Sequence, residues 1–233
     1  MTDKKEKILT VAPRWKLLEV TIKGESPLAM QSRPQSVIDN LSRKDNGLPT
    51  IKYKNTDWRR FIDSIHWIDS NKKPNTLDDK ITEEQYAEQF NKLIKESQET
   101  NTPLFYIPTE AFKESICSGA YRSGISKDKV SIRGSFIIRG DKAPITFSKV
   151  EMEKTPTINR NAKGAMVISV YSKFYDWQTK LKIHYNEELL SAENLLNIIC
   201  NAGLSVGVLA RRTELSFGKY GTYTATQAVT TSI

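Results

Sequence analysis

Cysteine and histidine are scarce in this chain, and their scarcity removes most enzymatic and metal-binding readings at once. Only Cys117 and Cys200 occur, far apart and outside any CxxC or Cys/His spacing. That pattern argues against a disulfide framework or a zinc site and fits a reducing cytoplasm. Only His66 and His184 are available to a Ser/His/Asp or Cys/His arrangement, and neither lies in a recognisable setting. His66, between Ile65 and Trp67, reads as a packed structural histidine. Asp57, Asp63 and Asp69 are spaced six apart, which is no facing geometry for a helix or a metal cluster, and are expected to face solvent. Asp141 and Asp176 fall at turns. No P-loop or dinucleotide fingerprint is present. No apolar run approaches the roughly 20 residues that span a bilayer, and residues 1–7 are charged rather than apolar. The expectation is a soluble cytoplasmic protein, neither exported nor membrane-bound, without cofactor or metal, and not an enzyme.

What is abundant is positive charge, unevenly placed. The 233 residues carry a formal net charge of +8, which favours an anionic partner. Residues 154–182 hold Lys154, Arg160, Lys163, Lys173, Lys180 and Lys182 against the single acid Asp176, whereas residues 76–99 hold seven acids against three lysines. One region suits phosphate and the other does not.

Residues 15–23 alternate with the period of a half-buried strand, Leu18, Val20 and Ile22 on one face. From residue 26 to 55 periodicity vanishes, Pro27, Pro34 and Pro49 recur, and Arg33, Arg43, Lys44, Lys52 and Lys54 are interspersed, which predicts a long loop or basic finger. A short helix opens near Asp57. A clearer one runs over residues 83–99, with Thr82 and Gln85 at capping-box spacing and Tyr86, Phe90, Leu93 and Ile94 on one stripe. A third spans 109–121 with Thr109 as N-cap and Gly124 just beyond its end. Strands are predicted at 130–139, 145–150, 165–175 and 179–185, then a helix capped by Ser191 with Gly203 as its left-handed C-cap, then strands from Ser205 and from Lys219. With residues 24–102 set aside as an insertion (a basic finger, then an acidic helix), the order is βαββαβ. The predicted class is therefore α+β, a ferredoxin-like or RRM-like core in one domain over 1–233, with a glycine-rich C-terminal hairpin.

Two local features bear on function. If residues 165–175 and 179–185 form a hairpin turning at Trp177-Gln178, Phe174 opposes Leu181 and Val170 opposes Tyr185 on one face. The other face then pairs Tyr175 with Lys180, Lys173 with Lys182, and Tyr171 with His184. Facing lysines repel unless an anion lies between them, and rings interleaved with cations are what single-stranded RNA requires. A solvated face with splayed lysines is the plainer alternative. The second feature is the C-terminal run. Four of the eleven glycines, Gly203, Gly207, Gly218 and Gly221, accompany Arg211, Arg212, Lys219 and Tyr220. Such a run suits close approach to a sugar-phosphate chain, or else an ordinary long hairpin with glycine bulges.

The order of elements together with this glycine-rich ending resembles the RAMP superfamily, RNA-binding proteins that build the backbones and processing subunits of CRISPR effector complexes. The chain is similar in particular to small phage-borne proteins that open with a strand and Gly-x-Ser-Pro-Leu, here Gly24-Glu25-Ser26-Pro27-Leu28. They end in Ala-Gly, Val-Gly, Arg and Gly-x-Tyr-Gly, here Ala202-Gly203, Val206-Gly207, Arg211 and Gly218-Lys219-Tyr220-Gly221. Leu209 stands where many such loops carry a second glycine. The resemblance implies a non-catalytic RNA-binding subunit of a viral or mobile-element ribonucleoprotein. It would bind guide-like RNA by its backbone, with copies assembling along the RNA as a homo-oligomer and target DNA reached through the RNA. The alternatives are a RAMP-type RNA endonuclease, using His66 or His184, and a phage structural or assembly protein with a basic docking face. Candidate RNA-binding residues are Arg33, Lys44, Arg133, Arg160, Lys163, Tyr171, Lys173, Tyr175, Lys182, Arg211, Arg212, Gly218, Lys219, Tyr220 and Gly221.

Overall fold

The structure, a computed structural model, describes residues 14–159, 165–215 and 218–232. Arg160 and Lys163 lie outside the described residues. The fold is α+β, with antiparallel sheets. Strand β1 (Trp15–Gly24) buries Leu18, Val20 and Ile22, as its alternation requires. It sits inside a six-stranded sheet between β8 (Gln178–Asn186) and β9 (Tyr223–Ser232). Beyond β8 lie β4 (Phe136–Ile138), β5 (Lys142–Thr146) and β3 (Tyr106–Pro108). Helices α4 (Thr109–Arg122) and α6 (Ala192–Ser205) pack together over the inner face. Between them and β9 the Tyr223 hydroxyl meets Ser115 at 3.0 Å, and its ring stands edge-on to Phe112. A second, three-stranded sheet has the order β2 (Leu28–Met30), β7 (Ala165–Tyr175), β6 (Lys149–Asn159).

The segment between β1 and α4 contains more regular structure than its prolines imply. Helix α1 (Gln35–Asp45) starts straight after Pro34, whose fixed φ of −58° suits a helix entry. It buries no residue, so Val37, Ile38 and Leu41 stay exposed and leave no core-facing stripe to read. Helices α2 (Asp57–Ser64) and α3 (Glu83–Thr100) fall where periodicity puts them, and the Thr82/Gln85 capping box forms. Asp63 is not solvent-facing: it is 5% exposed and accepts from the Thr76 hydroxyl at 2.8 Å, the Lys73 ammonium at 2.6 Å and the Gln35 amide at 2.9 Å. Asp63→Ala is expected to destabilise the protein by about 3 kcal/mol in urea unfolding, because the largely buried Lys73 cation loses its partner. Asp63→Asn, which keeps acceptors, should recover part of that loss.

Three further expectations are corrected. Residues 130–139 are not one strand: Asp128 accepts from the Ser131 amide and caps the short helix α5 (Lys129–Ser135), leaving only β4 extended. At α4 the N-cap is Pro108, and Thr109 instead donates its hydroxyl proton to the Gly140 carbonyl. The third correction matters most for function, since β7 and β8 do not pair. Strand β7 pairs with β6 over eleven residues and with β2, while β8 pairs with β1, β4 and β5. Phe174 therefore opposes Val150 and Leu28, and Leu181 opposes Val20. The chain crosses between sheets at Asp176, with φ +49°, and Trp177, fully buried. The Trp177 indole donates to the Ser26 carbonyl at 2.9 Å, and its own carbonyl accepts from the Gly24 amide at 2.8 Å. A tryptophan held this way is a corner post of the core and not the tip of an exposed hairpin.

Candidate nucleic-acid interface

The C-terminal glycine run is no strand-loop-strand hairpin. Helix α6 continues through Gly203 to Ser205, and among the described residues the next strand begins at Tyr223. Between them the loop coils through left-handed φ at Gly207, Leu209, Arg211 and Gly221. Leu209, at +62°, thus occupies a conformation in which glycine is at ease. The coil closes on itself: the Val208 amide donates to the Gly221 carbonyl at 2.9 Å, and the Lys219 amide to the Arg211 carbonyl at 3.0 Å. A Cβ on Gly218 would stand 1.7 Å from the Arg212 carbonyl oxygen, and one on Gly221 2.2 Å from that of Val208. These glycines admit the loop's own backbone, not that of a ligand.

The same loop is stitched to the opening motif. The Gly221 amide donates to the Pro27 carbonyl, the Thr222 amide to the Ser26 hydroxyl at 3.0 Å, and the Ala210 amide to the Ala29 carbonyl. The two sequence motifs that carry the resemblance, almost two hundred residues apart, are therefore in direct contact.

Fixed there, the loop lies over one face of β7 and forms a cluster of alternating cations and rings. The Arg211 guanidinium sits 4.5 Å from the Tyr171 ring centroid. The Lys173 ammonium lies 5.1 Å from the Tyr175 ring and 5.3 Å from the Tyr220 ring, within cation–π range of both. Tyr171 and Tyr220 are 6.3 Å apart. On the adjoining strand, Glu151 accepts from the Tyr175 hydroxyl at 2.7 Å and pairs with Lys149, and Glu153 lies 3.8 Å from Lys173. Contact with Tyr175, ahead of the opposing desolvation, holds the Lys173 ammonium above its ordinary pKa, so it stays charged across the physiological range. Tyr171 is buried and cannot stack on a base, contrary to expectation, whereas Tyr175 and Tyr220 are half-buried.

The remaining candidates disperse. Arg212 points away from the cluster, donating to Glu214 at 3.0 and 3.1 Å and to the Leu209 carbonyl. Glu214 also receives Arg122. Lys182 belongs to the outer face of the large sheet, 3.0 Å from Glu19, and never meets Lys173. Arg133 on α5 pairs with Glu114, Lys44 lies in the last turn of α1, and Arg33 is exposed before it. Arg139, which the sequence does not single out, donates to the His184 ring at 3.1 Å beside Lys182.

Next to the loop opens a cleft of about 740 Å³ between α4 and residues 209–215, lined by His66, Glu110, Glu114, Lys129, Arg212 and Glu214 among others. Burial lowers the pKa of His66, which keeps it neutral near pH 7. Three carboxylates make this cleft less hospitable to phosphate than the β7 cluster. Among the described residues no group of three or more His, Cys, Asp or Glu side chains is arranged to hold a metal ion, and no helix is long and apolar enough to cross a membrane.

No protein-family model and no curated protein matches the sequence. Among solved structures the chain is similar to one in the cryo-EM structure of the type III-B Cmr-beta complex bound to cognate target RNA, at 12% identity and a TM-score of 0.42. The match covers 94% of this chain and 61% of the other, so the protein spans about three-fifths of that chain's length.

Proposed function

We propose that this protein is a non-catalytic RNA-binding subunit of the RAMP type, holding single-stranded, guide-like RNA against the β7 face. The observation that carries the reading is the Arg211–Tyr171 and Tyr175–Lys173–Tyr220 cluster. Cations beside half-buried rings suit a backbone of phosphates with stackable bases. The strand order β9-β1-β8-β4, with α4 and α6 on one face, supports assigning the core to the ferredoxin-like βαββαβ arrangement. In this reading the β6–β7 arm, where Met166 and Ile168 are exposed, extends the RNA path. Assembly of several copies along one viral or mobile-element RNA belongs to the same proposal.

The test is fluorescence anisotropy with single-stranded RNA over a salt series. If Lys173, Arg211 and Lys219 each neutralise one phosphate, log affinity should fall with log salt at a slope of about −2, at roughly 0.7 per phosphate. A flat response would end the reading. A second reading, an RNA endonuclease, is favoured by the neutral His66 in the cleft beside the loop. It requires cleavage of labelled RNA by wild type that disappears in His66→Ala.

A further inference from the structure

We propose that β9 is an association edge through which two copies of this chain pair strand to strand, antiparallel about a two-fold axis. Among the described residues, strand β9 ends the large sheet, hydrogen-bonded to β1 on one side and to no described strand on the other. Its sequence, Tyr-Thr-Ala-Thr-Gln-Ala-Val-Thr-Thr-Ser, contains no ionisable side chain except Tyr223, which is buried. Every other described strand of five residues or more carries lysine, and β1 and β6 carry glutamate as well.

Exposed edges are ordinarily protected by charge, proline, bulges or shortness. The outer edge of the small sheet shows that protection, since β6 carries Lys149, Glu151, Glu153, Lys154 and Pro156. Edge strand β2 has three residues and is covered by the loop at Ala210. Strand β9 has ten residues and its one register shift lies near its start, opposite Thr21 and Ile22, so the stretch beyond it runs regularly. There the strand is open on both faces as well as at its edge. Ala228 and Thr230 lie opposite the buried Val20 and Leu18 yet are themselves exposed, and Val229 on the other face is 63% exposed.

A second copy fits this edge better than a charged partner does. A strand without charges pairs with itself in any register without opposing two like charges or desolvating an ion. Threonine and valine supply the branched cross-strand contacts that sheets favour. The two-fold makes the contact isologous and closed, giving a dimer and not a fibre. This association rests on the edge alone and is independent of the RNA-binding reading.

The experiment uses the full chain, nuclease-treated and freed of RNA, in sedimentation velocity from low to high micromolar concentration. Wild type should double its mass with rising concentration. Ala228→Lys combined with Thr230→Lys should remain monomeric at every concentration, with an unchanged melting temperature because both positions are open. In wild type, amide hydrogen exchange over residues 225–231 should show the alternate amides that face away from β1 becoming protected as concentration rises. Monomeric wild type throughout, a dimer that survives the two lysines, or outward amides equally fast at both concentrations would each overturn the proposal. The exchange measurement decides it on wild type alone if the double variant does not fold.

Discussion

Gly203→Val should be strongly damaging, lowering stability by about 3 kcal/mol. A Cβ at this position would stand 1.9 Å from the Tyr223 carbonyl oxygen and 2.8 Å from its ring, so helix α6 and strand β9 would have to separate. The contact lies in the core, where Tyr223, Ile199 and Ala202 are fully buried, and rigid backbone rather than a flexible side chain is in the way. In thermal denaturation the loss corresponds to a melting temperature lower by roughly 10 °C for a chain of this size. The comparison that isolates the cause is Gly47→Val, where a Cβ would meet nothing within 4 Å and only the positive φ of 69° is strained. That variant should lose no more than about 2 kcal/mol. Equal losses at the two sites would mean that close approach at Gly203 is not what holds α6 against β9.

The expected role of Gly203, a left-handed helix cap, fails because the sequence shows a glycine near the end of a helix but not the strand that crosses it. The same limit explains which parts of the molecule were legible. Strand β1, the Thr82/Gln85 cap on α3, and the Ser191 cap on α6 are decided within a few residues, and each is found in the structure. Helix α1 was not legible because it buries nothing, and α5 because Val130 and Ile132 alternate like a strand while Asp128 caps a helix. Pairing of β7 with β6 and β2 instead of β8 is a long-range outcome, although a tryptophan at the supposed hairpin tip was a usable warning: burying Trp177 requires the chain to turn inward there. For the candidate site, the residues named from the sequence do not form one group. Lys173, Tyr175, Tyr220 and Arg211 converge, while Lys182 faces a different surface. Arg212 had its partner Glu214 two residues away, a local ion pair visible in the sequence itself.

That separation of neighbouring arginines leads to the second large expected effect. Lys173→Ala, Tyr220→Ala and Arg211→Gly combined should weaken single-stranded RNA binding about a hundredfold, ~2.7 kcal/mol. Loss of one stacking ring contributes about 1–3 kcal/mol and the two cations the remainder. Glycine is chosen at 211 because the residue sits at φ +55°, where removing the side chain relieves backbone strain. Tyr220 is half-buried and the Lys173 side chain is mostly buried against two rings, so the folding cost of the triple variant is measured beside its affinity. Arg212→Ala should behave in the opposite way. Its guanidinium ties the loop to Glu214 and to the Leu209 carbonyl, so the variant should lose about 1 kcal/mol of stability while RNA affinity at the same salt changes by less than about twofold. Measured side by side by anisotropy and urea unfolding, the two variants form a crossed pair. If Arg212→Ala were the one to abolish binding, with the triple variant still binding normally, the RNA would have to lie in the cleft against α4 and not on the β7 face.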